Sequence, residues 1–153
     1  MKVSIRMRAV DVNVLIYAFD SDAPQHQSAR DVIQECADTS EPLVLFPAVI
    51  VGFLRVVTDR RILRTPASPA SAKEFLDRLL AWPIVRVVAD GPRWWDSCGP
   101  LLDRHQPRGA EVADVSLAAA ATAEGATWVS YDRGFARFTG LRWLNPADRE
   151  LDR

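Results

Sequence analysis

The sequence has few cysteine and histidine residues and no long hydrophobic run. Of its 153 residues, two are Cys and two are His, which is too few for a disulfide-stabilised domain or for a zinc site of clustered Cys and His ligands. We therefore expect Cys36 and Cys98 to be reduced thiols in the core. No apolar run reaches the roughly 18 residues that a membrane span needs, which excludes a membrane protein.

An excess of charge of one sign is also lacking. The chain carries 19 basic and 20 acidic residues and a net charge of -1, which excludes a strongly basic protein that coats nucleic acid. Residues 1–8 are basic but lack the apolar stretch of a secretory signal, so we expect a cytoplasmic protein. Met7 is an alternative start, which would make residues 1–6 a short N-terminal extension.

The sequence does contain an alternation of helical and extended patterns along one domain, residues 1–153. A first strand from residue 8 runs into a helical turn by residue 17, and short apolar runs predict further strands at residues 43–46, 84–88, 127–131 and 141–144. Apolar residues at steps of three and four predict helices at residues 24–39, 48–57, 68–82, 94–102 and 112–124. Because the strands do not alternate apolar with polar residues, we expect a small, mainly parallel sheet of an α/β fold, covered on both faces. We expect the tryptophans, including Trp94 and Trp95, to pack in the core.

Three aspartates stand where a parallel α/β sheet places its reactive groups. Asp11 lies within the first apolar strand, Asp132 follows the strand 127–131, and Asp114 lies near the start of the helix 112–124. Taken singly, each has an ordinary structural explanation, as a hydrogen-bond acceptor, a turn residue or a partner of the helix dipole. Because reactive groups collect beyond the carboxyl ends of parallel strands, the three together predict one acidic cluster. Such a cluster needs a cation to offset the repulsion between carboxylates, and Mg²⁺ or Mn²⁺ prefers oxygen ligands.

Four segments, taken in chain order, resemble the motifs of a known family: DVNVLIY at residues 11–17, PAVIVGFLRVVTD at 47–59, DVSLAA at 114–119 and WVSYDRGFARF at 128–138. They resemble the motifs of PIN-domain ribonucleases and are most similar to the VapC toxins of bacterial VapBC toxin–antitoxin pairs, particularly the actinobacterial branch. The resemblance implies a three-layer α/β/α PIN-like fold and an Mg²⁺-dependent endoribonuclease, with Mn²⁺ as the alternative cofactor. It also implies that Asp11, Asp114 and Asp132 are both the metal ligands and the catalytic residues.

The same motifs assign supporting residues and show one departure. Asn13 and Ser130 match positions that support the acidic site by hydrogen bonding. The second motif usually carries a glutamate, and this chain has Gly52 there. Glu111, three residues before Asp114, lies on the same helical face if the helix extends back that far, and is a candidate replacement. A helix cap or a solvent-facing residue is the other interpretation of Glu111.

The remaining expectations concern the substrate and the partners. Contacts to phosphates supply affinity for RNA, and the candidate arginines near the motifs are Arg60, Arg61, Arg133 and Arg137. Because sequence-specific RNA-binding proteins mostly contact unpaired bases, the expected substrate is a structured RNA loop, such as one in tRNA or rRNA. The resemblance also implies a homodimer and a VapB-type antitoxin as partner. The change at Gly52 leaves one alternative function, that of a catalytically impaired PIN-fold protein that binds RNA or a partner without cutting.

Overall fold

The centre of the fold is a parallel sheet of five short strands. The structure is a computed structural model that describes residues 6–150. The strands are β1 Arg8–Val10, β2 Leu43–Leu45, β3 Val85–Val87, β4 Thr127–Val129 and β5 Trp143–Leu144. They pair in the order β3-β2-β1-β4-β5, with each neighbouring pair parallel. The predicted small parallel sheet is confirmed.

Six α-helices connect and cover the strands. They are α1 Val12–Phe19, α2 His26–Asp38, α3 Pro47–Val57, α4 Pro69–Leu80, α5 Pro92–His105 and α6 Glu111–Glu124. Helix α1 packs against α2 and α3, and α5 packs against α6. All residues of β1 and β2 are buried, so both faces of the sheet are covered at its centre, as the apolar strands predicted.

Local signals in the sequence explain where several helices begin and end. Ser68 caps α4, because its hydroxyl accepts a hydrogen bond from the amide of Ser71, and Pro69 occupies the first helical position. Helix α6 ends at Glu124, and the next residue, Gly125, has a φ of 66°, the left-handed conformation that glycine adopts without strain. Helix α2 begins at His26 rather than at the predicted residue 24.

The core contains most of the residues that the apolar patterns predicted, but the prediction for one tryptophan was wrong. Cys36 and Cys98 are free and buried, as predicted, and burial raises the pKa of the Cys36 thiol to about 11. Trp128 is fully buried, but Trp95 is 60% exposed. Helix α5 turns a stripe containing Trp94 and Cys98 inward, and Trp95 lies about 100° further round the helix. The prediction that both tryptophans of this pair are core residues was therefore wrong for Trp95.

The order of the strands shows where a crevice lies at the edge of the sheet. From β1 the chain moves to β2 and β3 on one side, and β4 and β5 lie on the other side. The order therefore reverses between β1 and β4, and side chains beyond the carboxyl ends of these two strands border a crevice. Asp11 directly follows β1, and Ser130 directly follows β4.

Two further findings concern the expectations about the ends of the chain and about membranes. Of the predicted extension, residues 1–6, only Arg6 lies within the described residues, and it is exposed. Among the helices of residues 6–150, none is long and apolar enough to cross a membrane.

Candidate active site

Asp11 is a buried carboxylate at the point where the strand order reverses. Strand β1 ends at Val10, and Asp11 caps α1. The prediction that Asp11 lies within the strand was therefore wrong. Its Oδ1 accepts a hydrogen bond of 2.6 Å from the amide of Val12, and its Oδ2 accepts one of 2.6 Å from the hydroxyl of Ser130. A side chain that bonds to the following backbone amide competes with strand pairing, which explains why β1 stops here. Both oxygens of Asp11 are therefore held in fixed positions.

Ser130 and Asn13 link the ends of β1 and β4 around this carboxylate. The Ser130 hydroxyl accepts hydrogen bonds from the Asp132 amide at 3.0 Å and from the Asn13 side-chain amide at 3.2 Å. The Asn13 carbonyl oxygen accepts a bond of 3.3 Å from the amide of Tyr131. The side chain of Ser130 is fully buried. The network fixes the segment after β4 to the start of α1 and so sets the position of Asp132 relative to Asp11.

Asp132 and Asp114 are each held by one further contact. Oδ1 of Asp132 accepts a 2.8 Å hydrogen bond from the amide of Gly134, and this bond starts a short 3-10 turn, Arg133–Arg137. Asp114 lies in the first turn of α6. Its Oδ2 accepts a hydrogen bond of 3.2 Å from Nη2 of Arg137. The turn after β4 thus connects to α6 through Arg137.

The three carboxylates are electrostatic neighbours. The pKa of Asp11 is raised, first because burial disfavours the charged form, and also because the charges of Asp114 and Asp132 lie nearby. The hydrogen bonds from Ser130 and Val12 offset part of this rise. Within residues 6–150, no three Asp, Glu, His or Cys side chains are close enough to form a metal site as they stand. The cluster consists of carboxylate oxygens, which are hard donors, around a buried charge that its neighbours destabilise. Mg²⁺ and Mn²⁺ prefer oxygen ligands of this kind.

The side chain of Glu111 contacts the backbone ahead of α6. Glu111 is exposed at the first position of α6, and its Oε2 accepts a hydrogen bond of 3.1 Å from the amide of Arg108. This contact is a cap on the start of the helix, the other interpretation given above.

The four predicted RNA-binding arginines occupy two regions. Arg60 and Arg61 follow α3, where Arg61 pairs with Asp59 at 3.0 Å. Arg133 pairs with Asp148 at 2.7 Å on the protein surface. The fourth, Arg137, lies in the acidic cluster itself, where it contacts Asp114.

Sequence comparison identifies the family. Residues 9–141 match the PIN domain family. Ribonuclease VapC43 of Mycobacterium tuberculosis is 44% identical over 142 residues, which cover 93% of this chain and 97% of that protein. Ribonuclease VapC33 of the same species is 34% identical over 136 residues, which cover 89% of this chain and 95% of that protein. The chain belongs to the VapC ribonucleases of the PIN domain family.

Solved structures agree with this family at the level of the fold. The structure of VapBC2 from Rickettsia felis, bound to a DNA fragment from its promoter, matches with a TM-score of 0.70 at 18% identity, covering 91% of this chain and 98% of that chain. VapC20 of M. tuberculosis, described as a sarcin-ricin loop cleaving toxin, matches with a TM-score of 0.58 at 19% identity, covering 88% of this chain and 98% of that chain. The PIN-like α/β fold predicted from the motifs is confirmed.

Two glycines next to the cluster have steric roles that were not predicted above. A Cβ at Gly52, in α3, would lie 2.8 Å from Cγ2 of Val12, the residue after Asp11. A Cβ at Gly134 would lie 2.9 Å from Oδ1 of Asp132 and 2.9 Å from Nη1 of Arg137. Gly52 therefore lets α3 pack against the first turn of α1, and Gly134 lets the turn close on both charged groups. A glycine two residues after a strand-end aspartate is a turn signal that pointed to Gly134.

Proposed function

We propose that this VapC ribonuclease cuts RNA with the help of a divalent cation, Mg²⁺ or Mn²⁺, bound by Asp11, Asp114 and Asp132. The observation that supports the proposal is that the charges of Asp114 and Asp132 act on the buried carboxylate of Asp11. Each of the three carboxylates also has at least one oxygen held by a hydrogen bond from the protein. Carboxylates in mutual repulsion are stabilised by a cation between them. When bound, such an ion supplies a water of lowered pKa and neutralises a phosphate oxygen.

The protein's own residues prepare this site. Ser130 and the Val12 amide fix the two oxygens of Asp11, so that little reorganisation of this ligand is needed. Asn13 fixes the Ser130 hydroxyl and the Tyr131 amide, and acts as the supporting residue that the motif implies. Glu111 is occupied as a cap, so in this proposal the site works with three carboxylates.

RNA binding is assigned to the arginines around the site. Arg60 shares an open surface depression with Arg55, Thr58, Asp59 and Arg61. Three guanidinium groups at one depression provide the forked donors that hold phosphate oxygens. Arg133, on the turn that follows Asp132, is 65% exposed in its side chain despite its pair with Asp148. We assign a structured RNA loop as substrate class, since VapC20, of the same fold, carries the description of a sarcin-ricin loop cleaving toxin.

Cleavage by matched variants tests the proposed function. Asp11→Asn and Asp132→Asn remove one charge each without changing shape, and they are expected to lower Mg²⁺-dependent cleavage of a tRNA or rRNA stem-loop about 100-fold or more. Asp103→Asn, an exposed aspartate of α5, makes the same chemical change away from the site and should cleave like the wild type. Gel analysis of RNA cleavage, with Mg²⁺ or with a chelator, measures the requirement for the carboxylates and the requirement for the metal.

Two outcomes would contradict this assignment. Equal cleavage by the wild type and both site variants would remove the role of the carboxylates. RNA binding by the wild type without any cleavage in Mg²⁺ or Mn²⁺ would support the alternative of an impaired PIN-fold protein.

We also propose a VapB-type antitoxin as partner and a cytoplasmic homodimer as the form of the protein. The matched Rickettsia felis structure contains VapBC2 on promoter DNA, and an uncovered RNA-cutting site requires inhibition. Induced expression in a bacterial host should arrest growth with the wild type and not with Asp11→Asn. Coexpression of a small DNA-binding protein from the adjacent reading frame should restore growth, and light scattering should give the mass of two chains. Growth arrest that persists with that neighbour, or a monomer, would contradict these assignments.

A further inference from the structure

Among the arginines of residues 6–150, Arg137 alone forms an ion pair with an aspartate of the acidic cluster. Its Nη2 donates to Oδ2 of Asp114 at 3.2 Å, and the two residues are 23 positions apart in the sequence. The side chains are 37% and 33% exposed, so the pair is partly shielded from water. A partly shielded pair is screened less by solvent than one at the surface.

The guanidinium is held in place by contacts other than Asp114. Its Nη1 donates to the carbonyl oxygen of Gly134 at 2.5 Å. Its central carbon lies 4.2 Å from the centre of the Phe138 ring, which is a cation–π distance, and Phe138 is buried. The charge of Arg137 is therefore fixed beside the cluster whether or not Asp114 contacts it.

The surroundings of Gly134 are a second, independent observation that Asp132 and Arg137 are closely packed. The Gly134 amide donates to Asp132, and its carbonyl oxygen accepts from Arg137. A Cβ at this position would overlap both Oδ1 of Asp132 and Nη1 of Arg137, each at 2.9 Å. The backbone of one residue thus joins Asp132 to the arginine that contacts Asp114.

We propose that Arg137 is the resident counter-cation of the acidic site: its guanidinium balances the carboxylates when no metal is bound, and it competes with a divalent cation for Asp114. This inference rests on the proposed function, because it concerns the same carboxylates. The three aspartates and Arg137 together carry the formal charge that one divalent cation neutralises. A fixed positive charge near a metal ion repels it, so the arginine lowers the metal affinity of the site while it stabilises the metal-free protein.

Calorimetric titration of the metal-free full chain with Mn²⁺ tests this competition. Arg137→Gln keeps a hydrogen-bond donor but removes the charge, and it is expected to bind Mn²⁺ about tenfold more tightly than the wild type. Arg137→Lys keeps the charge but not the fork, and should fall between the two. Arg78→Gln is the matched control: this arginine lies on α4 and pairs with Glu74, so its Mn²⁺ affinity should stay within about twofold of the wild type.

Thermal unfolding gives a readout that does not depend on RNA cleavage. Without metal, Arg137→Gln should unfold at a lower temperature than the wild type, because the carboxylates lose their counter-cation. The increase in Tm on adding Mn²⁺ should then be larger for this variant than for the wild type.

The outcomes separate this inference from the proposed function. Mn²⁺ binding by Arg137→Gln that equals or falls below that of the wild type would overturn the competition, and so would the absence of binding in both proteins. Tighter binding by the variant supports it, even if the wild type binds no Mn²⁺ and its metal-dependent cleavage fails. Failure to cleave RNA with Mn²⁺ bound overturns the proposed function alone.

Discussion

Strand β1 has a buried charge at each end, and the surroundings of the two charges are opposite. Arg8 at its start and Asp11 after its end are both 7% exposed. Arg8 forms ion pairs with Glu35 at 3.2 Å and Glu41 at 3.3 Å. Within the described part of the chain, Asp11 receives hydrogen bonds from neutral groups only, and its charged neighbours Asp114 and Asp132 have its own sign. The two residues are equally buried, but Arg8 is paired with charges of opposite sign, whereas the charges near Asp11 have its own sign.

The difference separates a charge paired within the structure from the charge of the candidate active site. Burial by itself lowers the pKa of Arg8, but the hydrogen bond to Glu35 and nearby negative charges raise it overall. At Asp11, burial and like charges both disfavour the ionised form. A buried charge that its neighbours destabilise costs folding free energy, and such groups concentrate at functional sites. The two ends of β1 thus predict opposite responses to substitution.

The largest expected effect is at the paired end. Arg8→Ala would leave Glu41, whose side chain is 16% exposed, without its ion-pair partner, and would lose the packing of the arginine stem. We expect the free energy of unfolding to fall by about 3 kcal/mol, measured by urea denaturation. Arg133→Ala removes an exposed pair with Asp148 and should cost less than about 1 kcal/mol. Equal losses in the two variants would contradict the distinction between buried and exposed pairs.

A smaller effect is expected where α3 packs against the Asp11 end. Gly52→Ala places a methyl group 2.8 Å from the stiff, β-branched Val12, and should destabilise the protein by about 1 kcal/mol despite the better helix propensity of alanine.

The double variant sharpens this test. Val12→Ala combined with Gly52→Ala removes the overlap, so the two substitutions should cost less together than the sum of the single changes in denaturant unfolding. Additive losses would show that the contact between Val12 and Gly52 is not the cause.

The sequence predicted the Asp11 end of β1 better than the Arg8 end, for a physical reason. Strand ends and helix starts follow from local apolar patterns, so the places of the three aspartates near such ends could be predicted from the sequence. The partners of Arg8 depend on which surfaces of α2 and the following loop pack near β1, and Glu35 is 27 residues away. The same limit applies to Arg137, predicted as an RNA ligand and found beside Asp114. Pairing between distant side chains is a tertiary property that no local pattern encodes.

The smallest expected effect is a difference in pH dependence between the two ends. The pKa of Glu35 is lowered, chiefly by its hydrogen bond from Arg8, so its stabilising contribution is present above its unfolded pKa of 4.5 and is lost as the pH falls through the lowered value. The pKa of Asp11 is raised above 3.8, so the native state binds its proton first and the cost of its charge is relieved as the pH falls. In metal-free protein, Asp11→Asn should therefore be more stable than the wild type at neutral pH, with a gain that shrinks towards about pH 4.

Glu35→Gln should show the reverse, with a loss of stability at neutral pH that shrinks on acidification. Urea unfolding of the wild type and both variants between about pH 7 and pH 4 measures the two slopes, and Asp103→Asn, exposed on α5, controls for the change in net charge. Slopes of the same sign for Asp11→Asn and Glu35→Gln would mean that the two ends of β1 do not differ in the way their charges are compensated. Opposite slopes would assign the destabilising charge of the resting protein to Asp11, the residue that a bound cation has most to stabilise.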